Sequence, residues 1–216
     1  VVTSVPGIQV SDLSIANATA GVYAYEAGSS SFHRCRFMNI DLATLSMRDR
    51  SPFTVESYDI KDCEFVEVGS PLTLNAPLSS VTLSNVLMTQ LGGRGILSVH
   101  AISIDRAICV DNDSTVLEVY EGSCSITNSV FMRNNDSCVL FSGDSISISD
   151  TQFEGNTAQY RGAAVDAQAT GGEVRVERCT FLDNHAPNGG AIYAGASSLV
   201  IEDCSFVDNT AGILVP

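Results

Sequence analysis

One apolar position returns along the whole chain. Its occupants are Ile15, Phe37, Phe65, Met88, Cys109, Phe131, Phe153, Phe181 and Phe206, separated by 22, 28, 23, 21, 22, 22, 28 and 25 residues. A period of that length marks a solenoid, in which each repeat is one coil and buries its apolar face only against its neighbours. Inside a repeat the apolar residues alternate, as at Leu199 and Ile201 and again at Cys204 and Phe206. Period two is the signature of a half-buried strand. Two polar residues break the alternation between these short strands and turn the chain. A further apolar run follows in the later repeats: Val116-Leu117, Val139-Leu140-Phe141, Ala164-Val165, Ala191-Ile192-Tyr193 and Ile213-Leu214-Val215. Helical periodicity is missing, and so is the Leu-rich consensus that a leucine-rich repeat of the same length needs. The pattern predicts an all-β chain, a right-handed parallel β-helix of about nine coils with 21–28 residues per coil, forming a single domain over residues 1–216.

Equivalent residues of successive coils stack, so the alignment can be read as columns. The column from Ile15 to Phe206 is expected to be the core stack. Three residues further on, the later coils carry Asn112, Asn134, Asn156, Asn184 and Asn209, where the earlier ones carry Ala18, Ile40, Val68 and Leu91. Five consecutive asparagines predict a structural amide ladder, with the asparagines also suiting a left-handed turn. The half 101–216 is therefore expected to be regular and the half 1–100 less so. The second residue of the polar bend runs Asp12, Arg34, Asp62, Asn85, Arg106, Asn128, Asp150, Arg178, Asp203. Like charges never adjoin in it, which predicts a surface ion-pair ladder that helps fix register.

The seven cysteines show no zinc-type spacing. Cys35 with Cys63, and Cys179 with Cys204, share one inward column in adjacent coils. That column leaves open both a disulfide, because stacked strands bring Cα atoms about 4.8 Å apart, and buried reduced thiols. Glycosylation sequons begin at Asn17, Asn112 and Asn135. Asn112 belongs to the inward ladder, so Asn17 and Asn135 are the candidate acceptors.

Charged residues make up only 17% of the chain, yet the net charge is −14, from 11 Lys and Arg against 25 Asp and Glu. Phosphate backbones and anionic membranes would be repelled, so neither nucleic acid nor membrane is an expected partner. No stretch approaches the roughly 20 apolar residues of a membrane span. The turn carboxylates Asp111, Asp113 and Asp136 are the candidate calcium ligands, but the Gly-Gly-x-Gly-x-Asp nonapeptide of calcium-binding β-rolls is missing. No other cofactor is implied.

The motifs Phe131-Met-Arg-Asn134, Phe153-Glu-Gly-Asn156, Phe181-Leu-Asp-Asn184 and Phe206-Val-Asp-Asn209 accompany Gly189-Gly190-Ala191-Ile192, with Arg161-Gly162-Ala163-Ala164-Val165 as a second, altered copy. Together they resemble the paired FxxN and GGA[ILV] repeats of chlamydial polymorphic outer membrane proteins, autotransporter adhesins of the pectin-lyase-like superfamily. The resemblance covers about the last 90 residues. It implies an extracellular or cell-surface, secreted passenger used in adhesion or as a filament component, and it carries over no catalytic residue. The chain is accordingly expected to be a non-catalytic structural or adhesive protein, its partners being other surface proteins, glycans or further copies stacked end to end. It ends inside an apolar run with no helix to cap the last coil. That reads as a segment of a longer β-helical protein or a stacking subunit.

The alternative is a glycan-binding or polysaccharide-degrading pectin-lyase-like enzyme. Its candidate carboxylates are Asp183 and Asp208, outward in adjacent coils, with Asp111. The Asn-Thr-Asp, Gly-His-Gly and Arg-Ile-Lys motifs of polygalacturonases are missing, and a chain this acidic suits acidic polysaccharide poorly. His33, His100 and His185 have no partner evident from spacing.

Overall fold

The computed structural model describes residues 2–3, 7–25, 28–48, 56–75, 79–98 and 100–211. Every strand pairing among them is parallel, and each strand pairs with its equivalents in the coils before and after, through about eight turns of chain. One sheet stacks Gln9–Ser11, Ser30–His33, Ser57–Lys61, Ser80–Ser84, Ala101–Asp105, Ser123–Thr127, Ser145–Ser149 and the ends of Val165–Glu177 and Ile192–Glu202. A second carries the Ile15-to-Phe206 column, from Ser14–Ala18 to Ser205–Val207. A third holds the later apolar runs, including Leu117–Val119 and Val139–Phe141. The run Ile213-Leu214-Val215 lies outside the described residues.

Alternation puts Ile146 and Ile148 inside and Ser145 and Ser147 outside, and the same holds around the helix. Phe37, Phe65, Met88, Cys109, Phe131, Phe153 and Phe181 are fully buried. Phe131, Phe153 and Phe181 stack nearly parallel, with centroids 5.0 and 5.1 Å apart. Both ends of this column depart from the interior expected of it. Ile15 is only partly buried, and Phe206, although stacked on Phe181 at 4.6 Å, is 46% exposed. Among the described residues, Phe206 has a coil on one side only.

Two corners per coil are built alike. The bend column from Asp12 to Asp203 has positive φ, 50–58°, at all nine of its residues. A second set, from Asn17 to Asp208, also has positive φ, 50–61°, and includes Asp111, Arg133, Gly155 and Asp183. A left-handed residue rotates the next N–H out of the sheet ladder, so that donor needs another acceptor. After the second corner the acceptor is an asparagine of the following coil. The N–H groups of Leu91, Asn112, Asn134, Asn156 and Asn184 donate to Oδ1 of Asn112, Asn134, Asn156, Asn184 and Asn209 at 3.0–3.2 Å, or 2.9 Å for Asn134. Each Nδ2 from Asn112 to Asn184 bonds the next Oδ1 at 2.7–2.9 Å. Each also donates to a carbonyl of the preceding coil, as Asn156 does to Phe131 at 3.0 Å. The left-handed backbone thus lies one residue before the position to which the sequence pattern assigned it. The ladder asparagine is selected for its buried amide, not for its φ.

After the first corner the same need is met by sulfur or hydroxyl. The N–H of Cys35 donates to Cys63 Sγ at 3.4 Å, that of Ala107 to Ser129 Oγ at 3.1 Å, and that of Ser129 to Thr151 Oγ1 at 3.3 Å. Cys179 does so to Cys204 Sγ at 3.4 Å. Each of these thiols and hydroxyls donates in turn to the carbonyl two residues earlier. Cysteine here does the work of serine and threonine, and all seven cysteines are free. Burial pushes the Cys63 thiol up to about 12 and that of Cys179 to about 11, which keeps them protonated and poor nucleophiles.

In the N-terminal half the second corner is smoother. Arg36–Arg48 and Glu64–Asn75 run through it as continuous strands, paired at Ile40 and Val68 with a register shift before Ala43 and Ser70. Buried Ile40, Val68 and Leu91 fill the space that asparagines occupy later.

Candidate functional site

The outward ladders account for most of the conspicuous polar residues. Arg34 grips Asp12 with two hydrogen bonds of 2.7 and 2.8 Å, and Arg178 grips Asp150 with two of 2.8 Å. These arginines hold the Asp12 and Asp150 carboxyls below the ordinary aspartate range. Asn85 donates to Asp62 at 2.7 Å. Arg106, which stands between Asn85 and Asn128 in the column, binds its sequence neighbour Asp105 at 3.0 Å, and Asn128 donates to that same carboxylate at 2.8 Å. The second corner carries a ladder that the alignment did not reveal, with Arg133 clamping Asp111 at 2.7 and 2.9 Å and Asn39 bonding Asn17 at 2.7 Å.

These contacts place the remaining sequence candidates. Asp111 is taken by Arg133, while Asp183 and Asp208 sit exposed at corners beside Glu154 and Arg133. Among the described residues no three His, Cys, Asp or Glu side chains are placed to hold a metal ion. Spacing suggested no partners for the histidines, but two have them: His33 Nε2 lies 2.9 Å from Asp59 Oδ2, and His185 Nδ1 lies 2.8 Å from Thr210 Oγ1. Of the sequon asparagines, Asn112 is fully buried, whereas Asn17 and Asn135 are exposed. Asn135 Oδ1 accepts from Thr157 at 3.0 Å.

A groove that gathers buried charge lies on the outer face of the third sheet and encloses about 590 Å³. Its floor is a single outward column, Glu118, Leu140 and Asp166, with Tyr193 next in register. Two coils separate the carboxylates, roughly 10 Å at strand spacing. Both are almost fully covered, the Glu118 side chain at 3% exposure and that of Asp166 at 6%. Buried carboxylates require partners. Glu118 Oε2 accepts from Arg94 at 3.1 Å and from the Tyr120 hydroxyl at 3.0 Å. Burial, followed by the neighbouring Glu118, raises the Tyr120 phenol, so it stays a donor. Asp166 Oδ2 accepts from Arg161 Nε at 2.8 Å, and the guanidinium of Arg161 lies 4.7 Å from the Tyr193 ring centre. Asp166 Oδ1 is buried with no hydrogen bond. Desolvation consequently pushes the Asp166 carboxyl up.

Inserted residues wall the groove. Nine positions separate Asn156 from Val165 where five separate Asn134 from Val139, and eight separate Asn184 from Ile192. The two enlarged loops brace each other through bridges from Thr157 to His185 and from Arg161 to Asn188. Ala158, Ala163 and Ala186 form a small apolar core beneath them. Gly162 and Gly189 close these loops in the left-handed region, with φ of 53° and 56°. A Cβ at either would strike the carbonyl of Val165 or Ile192, which explains why Arg161-Gly162-Ala163-Ala164-Val165 and Gly189-Gly190-Ala191-Ile192 are versions of one turn. Glu118 and Asp166 belong to none of the repeated columns by which the other polar residues stand out. Their signal was a carboxylate inside an apolar run, Val116-Leu117-Glu118-Val119 and Ala164-Val165-Asp166-Ala167.

The fold and its side-chain ladders define a parallel β-solenoid of the pectin-lyase-like kind. The family described as right handed beta helix region matches residues 106–215, and the chain belongs to that family. Among curated proteins and among solved structures, nothing matches the chain.

Proposed function

We propose that this chain is a non-catalytic, extracellular structural or adhesive β-helix, displayed at a cell surface as a passenger or a filament component. The observation that carries this reading is the commitment of its polar residues to coil-to-coil ladders. Asp12, Asp111 and Asp150 are each clamped by an arginine, and Asn112, Asn134, Asn156 and Asn184 are buried in the amide ladder. A rod held by such contacts resists shear and keeps a rigid flank for display. The likeness of its FxxN and GGA[ILV] motifs to polymorphic outer membrane proteins supports the surface location. Surface proteins, glycans and other copies of the rod are the partners of this reading.

A polysaccharide-degrading activity is the second reading. The observation favouring it is the pair of buried carboxylates, Glu118 and Asp166, over one groove. The two readings separate in one assay, in which the purified chain is incubated with pectate, alginate and neutral glucans. The adhesive reading predicts saturable adhesion to cell-surface or matrix preparations and no release of reducing ends or unsaturated uronate. Product release that Asp166→Asn abolishes would establish the enzyme instead.

A further inference from the structure

We infer that the groove of Glu118 and Asp166 is a binding site for uncharged saccharides; the inference rests on the adhesive reading and supplies its ligand. Sugar hydroxyls are recognised by fixed donors and acceptors side by side, with an aromatic face for the C–H surface of the ring. The groove holds each of these. Arg94 and Arg161 are both backed by a buried carboxylate that occupies one guanidinium nitrogen, Nη1 of Arg94 and Nε of Arg161. An arginine neutralised in this way offers directional N–H donors without net positive charge. Asp136 adds an acceptor, its geometry fixed by Thr115 Oγ1 at 3.1 Å and the Ser137 N–H at 2.8 Å. Tyr160, 77% exposed on the inserted loop, lines the same groove and supplies the aromatic ring.

Charge decides which saccharides fit. Three carboxylates against two arginines leave the groove acidic, inside a chain of net charge −14. Uronates and sulfated sugars are repelled, whereas hydroxyl-only ligands are not. The site also costs the fold something. Buried ion pairs are expensive to desolvate, and Asp166 Oδ1 has no hydrogen-bond partner. The neighbouring coil places Leu140 at the equivalent position of the strand without either expense. Features that stability alone does not call for mark sites of function.

The test uses the full chain in calorimetric titrations with cellobiose, maltose and lactose, and with digalacturonate as the acidic probe. At least one neutral disaccharide is expected to bind, with digalacturonate weaker by about tenfold or more. Arg161→Gln and Tyr160→Ala should each weaken binding by about tenfold. Tyr160 is so exposed that its variant keeps the wild-type melting temperature, which separates lost contact from lost fold. The proposal is overturned if no neutral disaccharide binds at about 10 mM, if digalacturonate binds more tightly, or if binding survives both substitutions. Adhesion that persists in the double variant would likewise sink the groove proposal while leaving the adhesive reading standing. Hydrolysis of the bound disaccharide would sink the adhesive reading and leave the groove as the site.

Discussion

Asn156→Ala is expected to destabilise the rod by about 4 kcal/mol or more, because it orphans several buried groups at once. Asn156 Oδ1 accepts from the Asn134 N–H and from Asn134 Nδ2, both at 2.9 Å. Its Nδ2 donates to Phe131 O at 3.0 Å and to Asn184 Oδ1 at 2.9 Å. Alanine removes all four bonds and admits no water to replace them, since the site is fully buried. Each buried donor or acceptor left unpaired costs about 1–3 kcal/mol. Urea or thermal denaturation followed by circular dichroism reads the effect, expected as a drop of roughly 10 °C in melting temperature. In a solenoid the loss should also be local, opening the coils around Asn156 before the rest. A shift of only a degree or two would mean that the ladder is ornamental.

Phe153→Ala should cost about 3–5 kcal/mol, the usual range for emptying a buried phenylalanine site. Phe153 is fully buried and stacked on both sides, so its ring leaves a cavity that two neighbouring rings cannot fill. Phe206→Ala, in the same column, should cost far less, because that ring is already half in solvent. The contrast is the informative quantity, and paired denaturation curves measure it. Equal losses at the two positions would contradict the stacking described here.

The coil period, the core column and the asparagine ladder were legible because each is a repeated local choice, and repetition makes register visible. What was misread came from single positions whose role depends on a neighbour in the next coil. Cys35 and Cys63 raised the question of a disulfide; Ser129 and Thr151 in the same column show that the position asks for a side-chain acceptor and donor. Arg106 stands between the neutral amides Asn85 and Asn128 in the bend column, and its anionic partner is instead its sequence neighbour Asp105. The left-handed residues include Arg34, Arg106, Arg133 and Arg178, an unexpected type for positive φ. Three of them are held in place by a clamp or ion pair to an aspartate of the preceding coil, Arg34, Arg133 and Arg178. The groove was least legible. Arg94, Glu118, Asp136, Arg161 and Asp166 come from several successive coils, and only stacking and the inserted loops bring them together.

The central claim is that the polar columns are internal ladders holding the coils in register. Hydrogen exchange of the asparagine side-chain amides, followed by NMR, tests it most directly. The Nδ2 protons of Asn134, Asn156 and Asn184 should exchange as slowly as the backbone amides of the buried strands around them, while those of exposed Asn135 exchange freely. Rapid exchange at Asn134, Asn156 and Asn184 in the folded protein would contradict the account.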